Sequence, residues 1–381
     1  MTVAEESETI GRTATNKNDK KTKKSVWSDV PRRLVTICVG VPFVWKFLER
    51  PTTAYVFFFG AHAISAWEYS LLEPSITTTT IANTIDEKKR KQFQTPAEQL
   101  PKQTRLLFCI MSVALASIPD SSAAFFSFAA SLAAGIFAMT NRHHWIVGLL
   151  VVTLPFRAWC NLVYRFENSE NNDASSFAST IAVLLTVWNA DTGALVAGRL
   201  FGRKNTTAKT GMQVSDANRL PYWIQRISPA KTFEGFLGGM LGGIGTAVWA
   251  VPLLLNKFSV DTSPGYRKLW GLEGITNDSE VDFATFTVGV GILNRFLLGF
   301  CLSLLAILGD LVESSIKRRS RSKDSGSVLP GHGGILDRFD SSLLAVLFYR
   351  AVQEYANNIV SEGDATHTRA QSTIEQGIIE L

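Results

Sequence analysis

The sequence predicts an all-α polytopic membrane protein with about nine transmembrane helices and an active site at the cytoplasmic-side membrane surface. Of the 381 residues, 46% are hydrophobic, and they are segregated into long runs. In the run 54–72, only His62 and Glu68 are ionisable, and we expect both near a membrane interface. A helix needs about 20 mostly apolar residues to cross a bilayer core. Basic residues also gather in alternate loops, so a soluble globular enzyme is disfavoured.

Both ends of the chain are polar. Residues 1–31 include the cluster Lys20-Lys21-Thr22-Lys23-Lys24 and no apolar core, which predicts a disordered tail. The lysines either touch anionic lipid headgroups or remain solvated. The membrane domain is predicted over 32–358, and a polar C-terminal tail over 359–381.

The predicted crossings are nine apolar segments whose bounds hold to within a few residues. In chain order they are 34–48, 54–72, 106–118, 121–139, 145–160, 177–197, 233–255, one within 283–312, and 339–358. The eighth is expected from Phe296 onward, with Asn294 and Arg295 marking a membrane interface.

The charges of the loops indicate their side of the membrane. Residues 199–231 hold seven basic residues and one acid, whereas residues 261–282 hold two basic residues and five acids. With nine crossings, the N-terminal tail and the segments 85–105, 199–231 and 313–338 fall on one side. Basic loops mark the cytoplasmic or equivalent side, so the candidate site residues share one face.

The segment 314–340 carries the strongest chemical signal. Six basic side chains lie in it: Lys317, Arg318, Arg319, Arg321, Lys323 and Arg338. One carboxylate, Asp310, precedes the segment, and three lie within it: Asp324, Asp337 and Asp340. Glycines flank His332, which lets the backbone approach a ligand closely.

This combination suits a phosphate ligand with a divalent ion. Carboxylates hold Mg²⁺, which completes its coordination with water and substrate phosphates, and Lys and Arg neutralise the remaining phosphate charge. The alternative is a solvated basic loop at the membrane, because the charge bias of such loops already enriches Lys and Arg.

A second cluster lies upstream. Asp191 stands in an apolar helix, where a carboxylate is costly and suggests function. Thr232 is predicted to cap a helix, which would place Lys231 near a helix start that attracts anions. The alternative for Lys231 is a lysine that reaches out to the membrane surface.

Small residues also form a pattern. Gly235, Gly239 and Gly243 recur every four residues, with Gly238 and Gly242 beside them, which predicts a close-packed helix surface. The four cysteines are isolated and form no C-x-x-C pair, so neither a zinc site nor a disulfide framework is indicated.

The motif residues resemble the phosphatidate cytidylyltransferase (CDP-diacylglycerol synthase) family. Ser314 through Asp340 follow the family pattern at every fixed position, including Pro330-Gly331-His332-Gly333-Gly334. Upstream segments of the family are matched by Asn189-Ala190-Asp191, Gly198-Arg199-Leu200-Phe201-Gly202 and Ser228 to Gly235. The resemblance covers about 188–342, and the N-terminal half agrees only in being multi-spanning.

The resemblance implies the reaction CTP + phosphatidate → CDP-diacylglycerol + pyrophosphate, with Mg²⁺. The nucleophile would be a phosphate oxygen that is already anionic, so no general base is needed. Catalysis then reduces to positioning and charge neutralisation.

The family motif also implies roles for individual residues. The metal ligands would be Asp310 and Asp337, with Asp191 a weaker candidate for metal or nucleotide. The phosphate-binding cations would be Lys231, Lys317, Arg318, Lys323 and Arg338. His332 would donate to the triphosphate or the leaving pyrophosphate, and Asp324 and Asp340 would orient the cations. Ser228 and Ser314 would either bind phosphate or cap helices.

Two other classes compete with this interpretation. A multi-spanning transporter with a basic vestibule would favour inverted repeats, and none is visible. The alcohol phosphotransferases that consume CDP-diacylglycerol carry a D-G-x-x-A-R helix, which is absent. The expected partners are CTP, phosphatidate and the bilayer, with no nucleic acid, and a homodimer stays open. The chain is expected in the endoplasmic reticulum or in a plastid or other organelle membrane.

Overall fold

Helices are the only extended regular elements in the described part of this computed structural model. The structure describes residues 42, 44–72, 102–116, 124–138, 144–163, 172–202, 220–257, 264–272, 291–320, 322, 324–326, 328 and 333–379. The chain divides into two units, Met1–Phe47 and Leu48–Leu381. Every helix and site residue discussed below belongs to the second unit.

The helices are numbered in chain order. They are α1 (Pro51–Leu71), α2 (Lys102–Ala116), α3 (Ala124–Ala138), α4 (His144–Gly148), α5 (Leu154–Val163), α6 (Asn172–Leu200), α7 (Tyr222–Ile227), α8 (Phe233–Gly245), α9 (Val251–Lys257), α10 (Pro264–Leu269), α11 (Ile292–Arg319), α12 (Leu336–Phe339) and α13 (Ser342–Ile379). Two π-helical turns, Leu149–Thr153 and Thr246–Ala250, join α4 to α5 and α8 to α9.

The predicted helical class is confirmed for the described residues. Four stretches are long and apolar enough to cross a membrane: Trp145–Val163, Ser176–Leu200, Phe233–Leu254 and Ile292–Arg319. The count of nine crossings stays a prediction. The segment expected as a polar C-terminal tail is polar but helical, because α13 continues to Ile379.

Glycines bring α6 and α8 into close contact. A Cβ atom on Gly238 would clash with Ala197 and lie 2.6 Å from the carbonyl oxygen of Gly193. A Cβ atom on Gly242 would lie 2.5 Å from the carbonyl oxygen of Asn189. The predicted packing surface is therefore used within the chain, against α6.

The start of α11 differs from the prediction. We expected the crossing to begin at Phe296, with Arg295 at an interface, but α11 begins at Ile292 and Arg295 is only 1% exposed. Its guanidinium donates to the carbonyl oxygens of Gly291 and Val248, at 3.2 and 3.4 Å. Val248 lies in a π-helical turn, where the backbone hydrogen bonds depart from the α-helical pattern. Carbonyl groups freed in this way need other donors inside an apolar environment, and Arg295 supplies one.

Helix α11 lies at the centre of the second unit. It packs against α8, α6 and α13. Helix α1, from the N-terminal half, packs against α5 and contacts α12. The ring of Phe339 in α12 lies 6.0 Å from that of Phe58 and 5.1 Å from that of Phe156. These aromatic contacts hold α12 against the N-terminal half.

Candidate active site

The last turns of α11 carry three charged side chains on one face. Asp310, Glu313 and Lys317 are spaced by three and four residues, which places them above one another on a helix. Ser314 Oγ donates to Asp310 Oδ1 over 3.1 Å. Ser314 lies inside the helix and not at an end, so its predicted alternative role as a cap is wrong.

Asp310 pairs with a lysine at the start of α8. Lys231 Nζ lies 2.8 Å from Asp310 Oδ2 and 3.5 Å from the carbonyl oxygen of Ile307. The predicted cap is confirmed, because Thr232 Oγ1 accepts a hydrogen bond from the Gly235 N–H over 3.1 Å. The side chains of Lys231 and Asp310 remain 23% and 34% exposed, so a solvent-borne ligand can reach them.

A second ion pair lies one to two turns further along α11. Lys317 Nζ lies 2.8 Å from Asp337 Oδ1 and also contacts the carboxylate of Glu313. The Lys317 and Asp337 side chains are only 11% and 9% exposed. Burial by itself would raise the pKa of Asp337, but hydrogen bonds from Lys317 and the Gly334 N–H outweigh it and lower the pKa to about 2.

Two carboxylates hold the loop that leads into α12. Asp337 accepts hydrogen bonds from the N–H groups of Ser325 and Gly334, at 3.0 and 2.8 Å. Glu68 of α1 accepts from the N–H groups of Ile335 and Leu336, at 3.0 and 2.8 Å. We call Glu68, Asp337 and these four amide groups the loop clasp.

Glu68 has no predicted part in the site from sequence alone. It is 1% exposed, and His62 on the same helix is fully buried. The expectation that both lie near a membrane interface stays a prediction. The available signal was a single acid inside an apolar run, the pattern that marked Asp191 as functional. Its partners lie more than 250 residues away, and spacing carries no information at that range.

The glycines of the loop fit the clasp. A Cβ atom on Gly326 or Gly334 would lie 2.5 Å from a Glu68 carboxylate oxygen. Gly333 has a φ of +82°, a conformation that side-chain-bearing residues rarely adopt. We predicted that these glycines let a ligand approach the backbone closely. At Gly334, the group that approaches the backbone is the carboxylate of Glu68.

Two further carboxyl groups, those of Asp191 and Asp340, lie beside the first ion pair. Asp191 Oδ2 accepts a hydrogen bond from Ser341 Oγ over 2.6 Å, and Asp340 Oδ1 accepts from the Ser341 N–H over 2.7 Å. The carboxylates of Asp310 and Asp191 lie close enough to Asp340 to interact with it electrostatically. Asp191 and Asp310, predicted from separate motifs, are thus brought together.

The other predicted residues occupy the rim of the site or lie outside the described residues. Arg318 is exposed, and its Nε donates to the carbonyl oxygen of Ile227 over 3.3 Å. Arg338 and Asp324 are also exposed, and Ser228 follows the last residue of α7. Lys323 and His332 lie outside the described residues.

The carboxylates suit an oxygen-coordinated ion without forming a complete site. Among the residues that the structure describes, no group of three or more His, Cys, Asp or Glu side chains is arranged to hold a metal. Mg²⁺ commonly uses only one or two carboxylates and takes its other ligands from water and substrate phosphates. The mutual proximity of the Asp191, Asp310 and Asp340 carboxyl groups favours a cation beside them, because it would offset their like charges. The donor set therefore fits Mg²⁺.

Comparison with known proteins gives a consistent family. The model of the family described as "Cytidylyltransferase family" matches residues 32–215 and 218–356, which include every described residue of the site. The phosphatidate cytidylyltransferase of Haemophilus influenzae is 30% identical over 196 residues, covering 51% of this chain and 52% of that protein. The enzymes of the same name from Staphylococcus epidermidis and Staphylococcus aureus are 38% and 36% identical over 162 residues. In both cases this is 42% of this chain and 44% of the relative, so the chain spans about half the length of the curated relatives it matches.

Proposed function

The chain belongs to the cytidylyltransferase family, as predicted, and on this premise we propose that it transfers CMP from CTP to phosphatidate. The products are CDP-diacylglycerol and pyrophosphate. The observation that carries the proposal is the partly exposed Lys231–Asp310 pair beside Asp191 and Asp340. It supplies a cation for the phosphates and carboxylate oxygens for Mg²⁺ at one accessible place, and both are needed to bind a nucleoside triphosphate with its metal ion.

The chemistry needs no general base. A phosphate oxygen of phosphatidate forms a bond to the α-phosphorus of CTP, and the bond from that phosphorus to the bridging oxygen breaks. Pyrophosphate leaves with the electron pair. Because the nucleophile is already anionic at neutral pH, the residues have only to align the two phosphates and offset their charge.

The cations divide this work by their access to solvent. Lys231 and the exposed Arg318 and Arg338 can meet the triphosphate or the lipid headgroup. Lys317 is nearly buried between Glu313 and Asp337, so we assign it mainly to holding the site in shape. Lys323 and His332 are proposed as further phosphate ligands from the family motif.

Magnesium would be held by Asp310 and Asp337, with Asp191 as a further candidate for metal or nucleotide. When bound, the ion supplies charge neutralisation on the triphosphate. The oxygens of Asp337 already accept from two amide groups and from Lys317, whereas Asp310 is more open. Asp310 is therefore the better-placed of the two, and Asp324 and Asp340 are proposed to orient the neighbouring groups.

The site would operate at a bilayer surface, since phosphatidate remains in the membrane while CTP arrives from water. The four candidate membrane spans support this setting. A membrane of the endoplasmic reticulum, a plastid or another organelle is the proposed location, which a tagged copy would resolve by microscopy.

The direct test follows label from CTP into lipid. The purified full-length chain in vesicles containing phosphatidate is given Mg²⁺ and CTP labelled on the α- or the γ-phosphate. We expect α-label in the lipid extract and γ-label in pyrophosphate, and no lipid label with diacylglycerol in place of phosphatidate. A folded protein that leaves all α-label in water, or that moves γ-label into lipid, would refute the proposal.

A further inference from the structure

Glu68 is the one described residue of the N-terminal half whose carboxylate reaches the loop before α12 with both oxygens. Its Oε1 accepts from the Ile335 N–H and its Oε2 from the Leu336 N–H. Oε2 also lies 3.5 Å from Ser325 Oγ, on the other arm of the loop. One buried side chain thus contacts both arms of the loop, 257 to 268 residues away in sequence.

The clasp is well suited to fixing Asp337. Gly334 donates to Asp337, and the next two amide groups along the chain donate to Glu68. The two carboxylates therefore hold three consecutive N–H groups, and Asp337 follows Leu336 directly. A change at Glu68 would shift the backbone that carries Asp337 and, through it, the Lys317 ammonium group 2.8 Å away.

A role in packing alone would not need a carboxylate. An isolated acid buried in an apolar helix is costly unless its charge is compensated by donors. Here the donors belong to the loop that carries the candidate metal ligand, and glycines at 326 and 334 leave room for it. The geometry thus favours a role in the site over one confined to α1.

We propose that Glu68 is a positioning residue that sets the placement of Asp337 and Lys317 through the loop clasp. It does not touch the substrates. The inference rests on the proposed function, because Asp337 is a candidate metal ligand in that reaction and Lys317 holds its carboxylate in place. A displacement of about 1 Å in a catalytic group can reduce the rate by about a hundredfold.

The test compares Glu68→Gln and Glu68→Asp with His62→Gln. Glutamine keeps the size of the side chain, but its NH2 group would replace one carboxylate oxygen, so that a donor would face one of the loop N–H groups. Aspartate keeps both acceptor oxygens on a shorter arm. His62 lies on the same helix, equally buried, and its Nε2 contacts Ser112 Oγ at 3.0 Å rather than the loop, so His62→Gln is the matched control for damage to α1.

We expect Glu68→Gln to lower kcat by about ten- to a hundredfold with little change in KM for CTP or phosphatidate. Glu68→Asp should recover part of the loss. Hydrogen–deuterium exchange of peptides covering 333–340 should become about tenfold faster in Glu68→Gln, because one of the two amide groups loses its acceptor and meets an NH2 donor instead. His62→Gln should lower thermal stability while leaving kcat and exchange in 333–340 unchanged.

Two results would overturn the inference. One is wild-type kcat and exchange in Glu68→Gln. The other is an activity loss that merely follows the fraction of folded protein, and equally so in His62→Gln. An inactive wild-type protein would instead overturn the proposed function, and the exchange experiment would still decide whether Glu68 holds the loop.

Discussion

Two lysines of the candidate site are held by carboxylates with different access to water. The Lys231 and Asp310 side chains are 23% and 34% exposed, and those of Lys317 and Asp337 are 11% and 9% exposed. Exposed ion pairs add little to stability, whereas removing one partner of a buried pair is costly. The first pair is therefore free to exchange partners with a ligand, and the second is suited to maintaining structure.

Replacing the two aspartates separates these roles. Asp310→Asn and Asp337→Asn should each abolish lipid labelling from CTP, because each removes a candidate metal ligand. Only Asp337→Asn should also destabilise the fold appreciably, by on the order of 2 kcal/mol, since it breaks a buried charged hydrogen bond. Activity assays and thermal unfolding of the membrane-inserted variants check both parts. Near-normal turnover in either variant would remove that residue from the metal site.

Lys231→Ala tests the cation of the exposed pair. We expect the efficiency of CTP use, kcat/KM, to fall by about ten- to a hundredfold, the effect of losing one hydrogen bond to a charged group. Thermal stability should change little, because the pair is partly exposed. Lys231→Arg is the matched variant that keeps the charge. An unchanged dependence on CTP in Lys231→Ala would leave Lys231 as a lysine that only reaches the membrane surface.

Acidification offers a third test at this scale. The pKa of Asp337 is lowered from 3.8 to about 2. A lowered acid pKa stabilises the fold above the ordinary value, and this stabilisation is lost only as the pH falls through the lowered value. The stability difference between wild type and Asp337→Asn should therefore be the same at pH 5 and pH 8 in thermal unfolding. A difference that shrinks markedly by pH 5 would contradict the strong Lys317–Asp337 pair.

Local sequence patterns predicted several side chains of this site, but they gave no role to Glu68 or Glu313 and did not predict the partners. The positions of Asp310 and Lys317 on one helix face follow from a helical repeat, and the Thr232 cap follows from residue type. The pairing of Lys231 with Asp310 and the clasp by Glu68 depend on how distant helices meet. No periodic signal within the chain encodes those contacts.

At the level of the elements, close contact between α6 and α8 depends on small residues. These helices also carry Asp191 and, at the start of α8, Lys231, so their spacing affects the site. The expectation of a close-packed glycine surface is confirmed, since Gly193 and Gly238 meet backbone to backbone. Arg295 could not be placed correctly from sequence, because its burial depends on a π-helical turn in another segment.

Gly238→Ala should be destabilising, by about 1 to 3 kcal/mol, because the added methyl group would overpack the contact with Ala197 and Gly193. Gly60→Ala in α1 is the matched control, since a Cβ atom there meets nothing within 4 Å. It should be neutral or stabilising by up to about 1 kcal/mol. Thermal unfolding in the same detergent compares the two. Equal effects would show that α6 and α8 are not so closely packed.

At the scale of the whole molecule, the helical class and most helix positions could be predicted from apolar runs. The run 177–197 corresponds to Asn172–Leu200, and the run 233–255 to Phe233–Gly245 with its continuation to Lys257. What could not be predicted is that the N-terminal half completes the loop clasp. The resemblance began near residue 188, although the family match extends from residue 32.

The predicted membrane orientation can be tested by labelling. In a cysteine-free chain, Arg90→Cys and Asp278→Cys introduce single thiols into a basic and an acidic loop. With nine crossings, a membrane-impermeant maleimide added to sealed vesicles should label only one of the two, since the loops lie on opposite sides. Labelling of both or neither before the vesicles are opened would contradict this orientation.

The long separation between Glu68 and its amide partners has a consequence for biosynthesis. The two ends of the contact are 267 residues apart, and ribosomes add about 5 to 20 residues per second. The loop is therefore synthesised roughly 15 to 50 seconds after Glu68 of helix α1. The loop clasp cannot form before Ile335 and Leu336 have been synthesised, so Asp191, Lys231 and Asp310 are all present in the nascent chain before the contact that fixes Asp337.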